Sequence, residues 1–330
     1  MAEHSGESPW LALPDLERDL AERLDQIHAG RATTYGALAR SLGDPIAARW
    51  VAECLLTHIH TPDCRCHRVV RAGGNLGLYG DGGATEKARR LLRDGVPVLD
   101  ETVPPECLQS EFEGPAPLRE LQAFQGSVFP RLDLARLLPN EPETIGALDV
   151  AYPVPGFARA AYVLMDAATM EPLWSLALSV PVRFPYITTY LTFRELPAHE
   201  AIWREVVAAG RVPDVVFVDG TGILHPRRAG IAATFGMFAR VPTVGVTKSH
   251  LTGRLAGPLA PLVPVPILEG DELLGAAILP GSGTAKPVYV SPGNLIRVEE
   301  ATRLVLASFR QHRVPEPIYL ADRLSKSADD

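Results

Sequence analysis

The segment that most restricts how this chain can fold is Val215-Val216-Phe217-Val218-Asp219-Gly220-Thr221-Gly222-Ile223-Leu224-His225-Pro226-Arg227-Arg228. Four bulky apolar residues in succession read as a strand buried on both faces. That places the strand inside a sheet with helices on its faces. The carboxylate of Asp219 then lies at the mouth of the sheet, where open α/β folds put ligands and chemistry. Gly220 and Gly222 allow the backbone to approach a ligand closely.

Two further carboxylates have similar surroundings. Asp149 ends the strand-like run Ile145-Gly146-Ala147-Leu148, and Glu195 follows Arg183-Phe184-Pro185-Tyr186. Taken singly, an acid at a strand end reads as a loop cap. Three acids converging at a sheet edge suit a hard cation such as Mg²⁺, and metal-assisted phosphodiester cleavage is the leading use of such a site. Lysine is scarce here, four residues against 28 arginines, so Lys248 just past the strand at 243–246 stands out. It can stabilise charge on a pentacoordinate phosphate or orient the attacking water.

The surrounding pattern supports a mixed sheet. Residues 145–150, 160–165 and 173–179 read as three consecutive strands, the last two joined by a turn at Asp166-Ala-Ala-Thr169. Residues 198–209 read as a helix stopped by Gly210. A helix is expected to start near Pro226, between the strands at 215–218 and 243–246. Residues 297–310 are amphipathic. Strands first and alternating strand and helix later give an α/β class with flanking helices.

At 330 residues the chain has room for two domains. The Pro- and Gly-rich segment 102–117 reads as a linker. It separates residues 1–101 from residues 118–330. A net charge of −7 argues against a uniformly basic nucleic-acid binder, yet residues 26–93 carry ten Lys/Arg against five acids. That local excess fits a module facing phosphates. The acidic, polar start does not read as a signal peptide, and no apolar stretch approaches membrane-spanning length. Four cysteines are too few for a disulfide framework. The expected setting is cytoplasmic, with no membrane partner.

The first module reads as mostly helical. Leu16, Leu20, Leu24 and Ile27 recur at helical spacing over 16–28. Thr34 can cap a helix starting at Tyr35, and Gly43-Asp44-Pro45 makes a turn before a helix at 46–52. Two short helices across a tight turn suggest a helix-turn-helix. His58, His60, Cys64, Cys66 and His67 fall within ten residues and could supply Zn²⁺ ligands, although the Cys-x₂-Cys spacing is absent.

Cys66-His67-Arg68-Val69, with Gly73-Gly74-Asn75-Leu76-Gly77-Leu78-Tyr79-Gly80 after it, resembles the cysteine-bearing half of the alkylguanine-DNA alkyltransferases over about residues 16–96. The resemblance implies a small winged helix-turn-helix-like domain that binds alkylated guanine in DNA. It implies that Cys66 accepts the alkyl group, with the His67 imidazole favouring the thiolate. Arg49 would fill the gap left by a flipped base, with Tyr35 and Tyr79 near that nucleotide. The family's proline is Arg65 here, and a site asparagine is His58. The alternative is a non-catalytic lesion-binding module that recruits the second domain.

From about Leu118 to residue 320 the chain resembles endonuclease V. The matching pieces are Gly146-Ala-Leu-Asp149-Val-Ala-Tyr152, Arg183-Phe-Pro-Tyr186-Ile, Phe193-Arg-Glu195, Asp219-Gly-Thr-Gly-Ile-Leu-His225-Pro-Arg and Gly245-Val-Thr-Lys248-Ser-His-Leu-Thr-Gly253, then Ser291-Pro-Gly and a closing helix. The resemblance implies a ribonuclease H-like mixed sheet and Mg²⁺-dependent cleavage (Mn²⁺ substituting) beside deoxyinosine in DNA, with RNA a further substrate class. Asp149, Asp219 and Glu195 would hold the metal. His225 would contact the leaving group, a phosphate or an acidic ligand. Tyr186 would be the wedge that replaces an extruded base, and Gly220 and Gly222 would help read that base. Thr188 stands where the family has proline. Asn294 stands where it has a histidine that the resemblance puts near the metal.

Overall fold

Leu16, Leu20 and Leu24 are buried along one face of helix α1 (Leu16–Asp25), and Asp15 starts it by accepting from the Arg18 amide at 3.0 Å. The computed structural model describes residues 10–59, 63–80, 82–281 and 286–327. It divides into two compact units: Pro14–Ala123 with Phe184–Thr188, and Phe124–Arg183 with Thr189–Asp330 and residues 10–13.

In the smaller unit, strand β1 (Ala32–Thr34) leads into α2 (Tyr35–Ser41), capped by Thr34 Oγ1 accepting from the Ala37 amide at 3.0 Å. Asp44 caps a 3-10 turn, and α3 (Ala48–Thr57) follows, completing the helix pair read from sequence. Next come β2 (Val69–Val70), α4 (Gly83–Arg93) and β3 (Leu108–Gln109), and α5 (Pro117–Val128) belongs to this unit up to Ala123. The three short strands lie parallel in the order β2-β1-β3.

The segment 102–117 does more than connect. Val103 is buried beside Ala32, Val70, Leu76, Leu91 and Val96, and its amide bonds Gly74 O at 2.9 Å. Arg23, fully buried, donates to Pro115 O at 2.5 Å. Proline and glycine exclude regular helix but leave carbonyls and apolar side chains free to pack.

The larger unit is built on a nine-stranded mixed sheet. Its elements are β4 (Thr144–Val154), β5 (Phe157–Asp166), β6 (Pro172–Pro181), α6 (Leu191–Ala208), β7 (Val215–Asp219), α7 (Ile231–Ala239), β8 (Thr243–Thr247), β9 (Arg254–Leu255), β10 (Val265–Glu269), β11 (Glu272–Ile278), β12 (Val288–Asn294), α8 (Val298–Ala307) and α9 (Glu316–Lys326). The strand order is β6-β5-β4-β7-β8-β12-β11-β10-β9, with β4, β7 and β8 parallel and the other pairings antiparallel. Alternate residues of β7 explain why its sequence is apolar throughout. Val215 and Phe217 pack with Leu304, Val305 and Ile318 of α8 and α9. Val216 and Val218 pack with Ile202, Val206, Ile231 and Phe235 of α6 and α7.

Two helix expectations shift. α6 begins at Leu191, ahead of residue 198, because the long apolar face tolerates Pro197 inside the helix. α7 begins at Ile231, beyond Pro226, after a turn in which Arg228 takes φ +54°. No described helix is long and apolar enough to cross a membrane.

Candidate active site and thiol site

The register of β4 against β7 pairs Leu148 with Val218, so Asp149 and Asp219 follow each other's strands at one end of the sheet. Leu148 points toward α6 and α7, so pleating turns Asp149 to the face covered by α9. That helix contributes Asp322. One carboxylate oxygen each from Asp149, Asp219 and Asp322 lies within 4.8 Å of the others.

The acids are tied to their neighbours. Ser325 Oγ donates to Asp149 Oδ2 at 2.5 Å. Lys248 Nζ donates to Asp219 Oδ2 at 2.8 Å and to Asp322 Oδ1 at 3.3 Å, and Lys326 Nζ reaches Asp322 Oδ2 at 2.7 Å. Burial, then the charge of Asp219, pushes Asp149 up to about 7. Burial opposes the charge on Lys248, but Asp219 and Asp322 outweigh it and raise its pKa. Burial likewise opposes ionisation of Asp322, and Lys326 with Lys248 reverses the sign.

Glu195 is buried on α6 and lies outside the three-acid group, though Asp149 and Asp219 act on it. Burial first, then those two charges, pushes its pKa well above the usual range. Sequence reading missed Asp322. Its signal was helical spacing: Asp322, Ser325 and Lys326 share one face of α9.

Other expected site residues are placed differently. His225 is buried and held down to about 4, chiefly by burial. Its Nε2 bonds Thr189 O at 3.1 Å and its Nδ1 accepts from the Arg227 amide at 3.2 Å. Both nitrogens thus anchor the loop.

Gly220 and Gly222 serve packing. The Gly220 amide bonds Val246 O at 2.9 Å and that of Gly222 bonds Ser291 Oγ at 3.0 Å. A Cβ on Gly222 would meet Pro292 O at 2.1 Å. The expected histidine position near the metal is also corrected. Asn294 pairs with Thr243, the opposite end of β8 from Val246, which pairs with Asp219. There Asn294 bonds Gly236 O and the Asp133 amide. Tyr186 is 58% exposed, between buried Phe184 and Ile187, with Thr188 exposed after it.

In the smaller unit Cys66 is buried in a 3-10 turn, Cys66–Arg68. Cys64 and Tyr79 both act on its thiol. His58 Nε2 lies 3.0 Å from Cys64 Sγ. Donation from Cys66, and His58 beside it, lower Cys64 to about 4, while donation to Cys64 and burial push Cys66 up. In this arrangement the contact between the two sulfurs favours negative charge on Cys64.

Both ring nitrogens of His67 have partners. Its Nε2 bonds Asp94 Oδ2 at 2.7 Å and its Nδ1 meets Cys64 O at 3.2 Å. Arg68 Nε shares Asp94 Oδ2 at 2.8 Å. Lys87, buried and pushed down to about 8 by burial, donates to Leu76 O at 2.7 Å and lies 5.8 Å from the Tyr35 ring centroid. Arg49 is exposed on α3. His60 lies outside the described residues.

Residues 129–323 match the family profile of endonuclease V. The chain belongs to the endonuclease V family. It is 43% identical to endonuclease V of Azotobacter vinelandii over 52% of this chain and 76% of that one. A solved relative is endonuclease V of Ciona intestinalis in complex with a 24mer DNA containing an inosine followed by a ribo-adenosine. Identity there is 25% and the TM-score 0.57, covering 63% of this chain and 96% of that one. The sheet is thus the ribonuclease H-like sheet of endonuclease V, and the chain is an endonuclease.

Residues 15–96 match the profile of the 6-O-methylguanine DNA methyltransferase, DNA binding domain. This endonuclease V also resembles a bifunctional methyltransferase/endonuclease of Thermoplasma volcanium, at 31% identity over 88% of this chain and 84% of that one. The endonuclease V unit is therefore joined to an alkyltransferase-like DNA-binding unit.

Proposed function

We propose that the larger unit cleaves a DNA strand beside deoxyinosine with Mg²⁺, Mn²⁺ substituting, and that the smaller unit accepts an alkyl group from guanine on Cys66. The observation that carries the nuclease reading is the convergence of Asp149, Asp219 and Asp322 within 4.8 Å. Mg²⁺ takes oxygen ligands at about 2.0–2.1 Å in octahedral geometry, so oxygens up to about 4.2 Å apart share one ion. The three acids need only small shifts, and Lys248 already supplies positive charge between two of them.

Asp149, Asp219 and Asp322 would hold the ion, with Glu195 a fourth partner through water. When bound, Mg²⁺ neutralises phosphate charge and assists the attacking water. Lys248 Nζ, turned from Asp219 to the phosphate, would donate to a non-bridging oxygen as negative charge develops there. Water oxygen joins phosphorus, the bridging P–O bond breaks, and the leaving oxygen takes a proton. Tyr186, exposed on its turn, would fill the space of the extruded base. Inosine mispairs are weak, which lowers the cost of extrusion.

For the second reaction, the O6–carbon bond of the alkylated guanine breaks and a carbon–sulfur bond forms to Cys66. The Cys66 thiol gives up its proton as its sulfur attacks, and the guanine takes up one proton on leaving, so the transfer balances. The domain division proposed from sequence, 1–101 and 118–330, is retained for function, with 102–117 between them.

The test is cleavage of an inosine-containing strand by the full chain in Mg²⁺, on DNA and RNA in parallel. Asp219→Ala should reduce the rate at least about 100-fold, the scale of losing one electrostatic partner of the reaction. Wild-type rates in that variant would overturn the assignment.

A further inference from the structure

We propose that His58, Cys64 and Cys66 form a binding site for a soft divalent ion, Zn²⁺ by chemical class, separate from the carboxylate site. His58 Nε2, Cys64 Sγ and Cys66 Sγ lie within 4.8 Å of one another, and the first two are 3.0 Å apart. A tetrahedral ion with Zn–S near 2.3 Å and Zn–N near 2.0–2.1 Å spaces its ligand atoms about 3.3–3.8 Å apart. Shifts of about an ångström bring the three groups into that geometry.

Two neighbours that could have competed are turned away. His67 is committed to Asp94 and to Cys64 O. Arg65, between the two cysteines, donates to Asp25 O and Ile27 O. The Arg65 guanidinium therefore does not lie across the sulfurs. Among the described residues, four sequence candidates for zinc, His58, Cys64, Cys66 and His67, reduce to the first three.

Ligand chemistry sorts the two sites. Thiolate and imidazole favour Zn²⁺, whereas three carboxylates favour Mg²⁺. Binding releases the thiol proton of Cys66 to solvent and leaves one ion position for water. Because His58 caps the C-terminal end of α3, the ion would tie that helix end to the turn bearing Cys66.

The test uses the full chain, titrated with Co²⁺ in excess Mg²⁺. Sulfur ligation gives a thiolate-to-cobalt charge-transfer band that carboxylates cannot give. We expect one equivalent, displaced by Zn²⁺. The affinity should fall at least tenfold in both Cys64→Ser and His58→Ala and stay unchanged in Asp149→Asn. Native mass spectrometry should show one Zn²⁺ on the wild type and none on Cys64→Ser. His58→Gln, a milder change, should also weaken binding, and an unaltered melting transition in either His58 variant separates ligand loss from misfolding. Absence of the band in the wild type, or an equal band in Cys64→Ser and His58→Ala, overturns the site.

Discussion

Asp149 is held protonated more readily than an exposed aspartate, and that makes stability depend on pH. Its folded pKa is about 7 against a usual 3.8. A raised acid contributes stability that is fully present below the unfolded value and is lost as pH rises through the folded one. His199 runs the other way. Burial lowers it to about 4 from 6.5, so its contribution is constant above pH 6.5 and is lost as pH falls through 4. From pH 6.5 to about 7 Asp149, with Glu195 acting in the same direction, therefore decides the slope in the larger unit. In chelator, stability should fall across that window by up to about 1.4 kcal/mol per pH unit for each group. Mg²⁺, which binds the ionised form, should flatten the fall, and Asp149→Asn should flatten it in part, with Glu195 supplying the rest. A melting temperature independent of pH in chelator would contradict the buried-acid account. At the same scale, Tyr186→Ala should weaken binding of inosine-containing duplex about tenfold, with a smaller loss on single strands, which need no unpairing. Equal losses, measured by fluorescence anisotropy, would argue against a wedge.

Elements are positioned by close approach as much as by burial. The loop after β7 packs directly on β12, and a Cβ on Gly222 would meet Pro292 O at 2.1 Å. Backbone cannot retreat as a flexible side chain can. Gly222→Ala should therefore destabilise the unit by about 1–3 kcal/mol. That corresponds to a melting temperature lower by roughly 2–12 °C for a unit of this size. An unchanged transition would show that β12 gives way. A required glycine has the same appearance in sequence whether a base or a strand lies against it. α9 carries Asp322 and Ser325 to β4, so Ser325→Ala should leave the fold intact and alter the Asp149 titration, seen as a shift in the pH–rate profile.

The molecule combines two chemistries that should be separable. Asp219→Ala should abolish strand cleavage while the chain still gains one methyl group, about 14 Da by elementary mass arithmetic, from methylated-guanine DNA. Cys66→Ala should lose that mass gain and still cleave inosine-containing strands. A wild-type chain that binds methylated duplex but never changes mass would leave the lesion-sensing alternative in place of transfer. The sequence by itself determined the strand pattern, the α/β class, the helix pair after Thr34 and the two-family composition, because local propensity, apolar periodicity and long motifs act over short stretches of chain. It also singled out Asp149 and Asp219 by their strand-end positions. Only the tertiary structure decided which groups meet. Asp322 is 103 residues beyond Asp219, His225 and Asn294 turn inward to brace loops, and His67 joins Asp94 while Cys64 reaches His58. Side-chain direction and hydrogen-bond choice depend on what packs opposite, and that partner is set by strand register and helix docking.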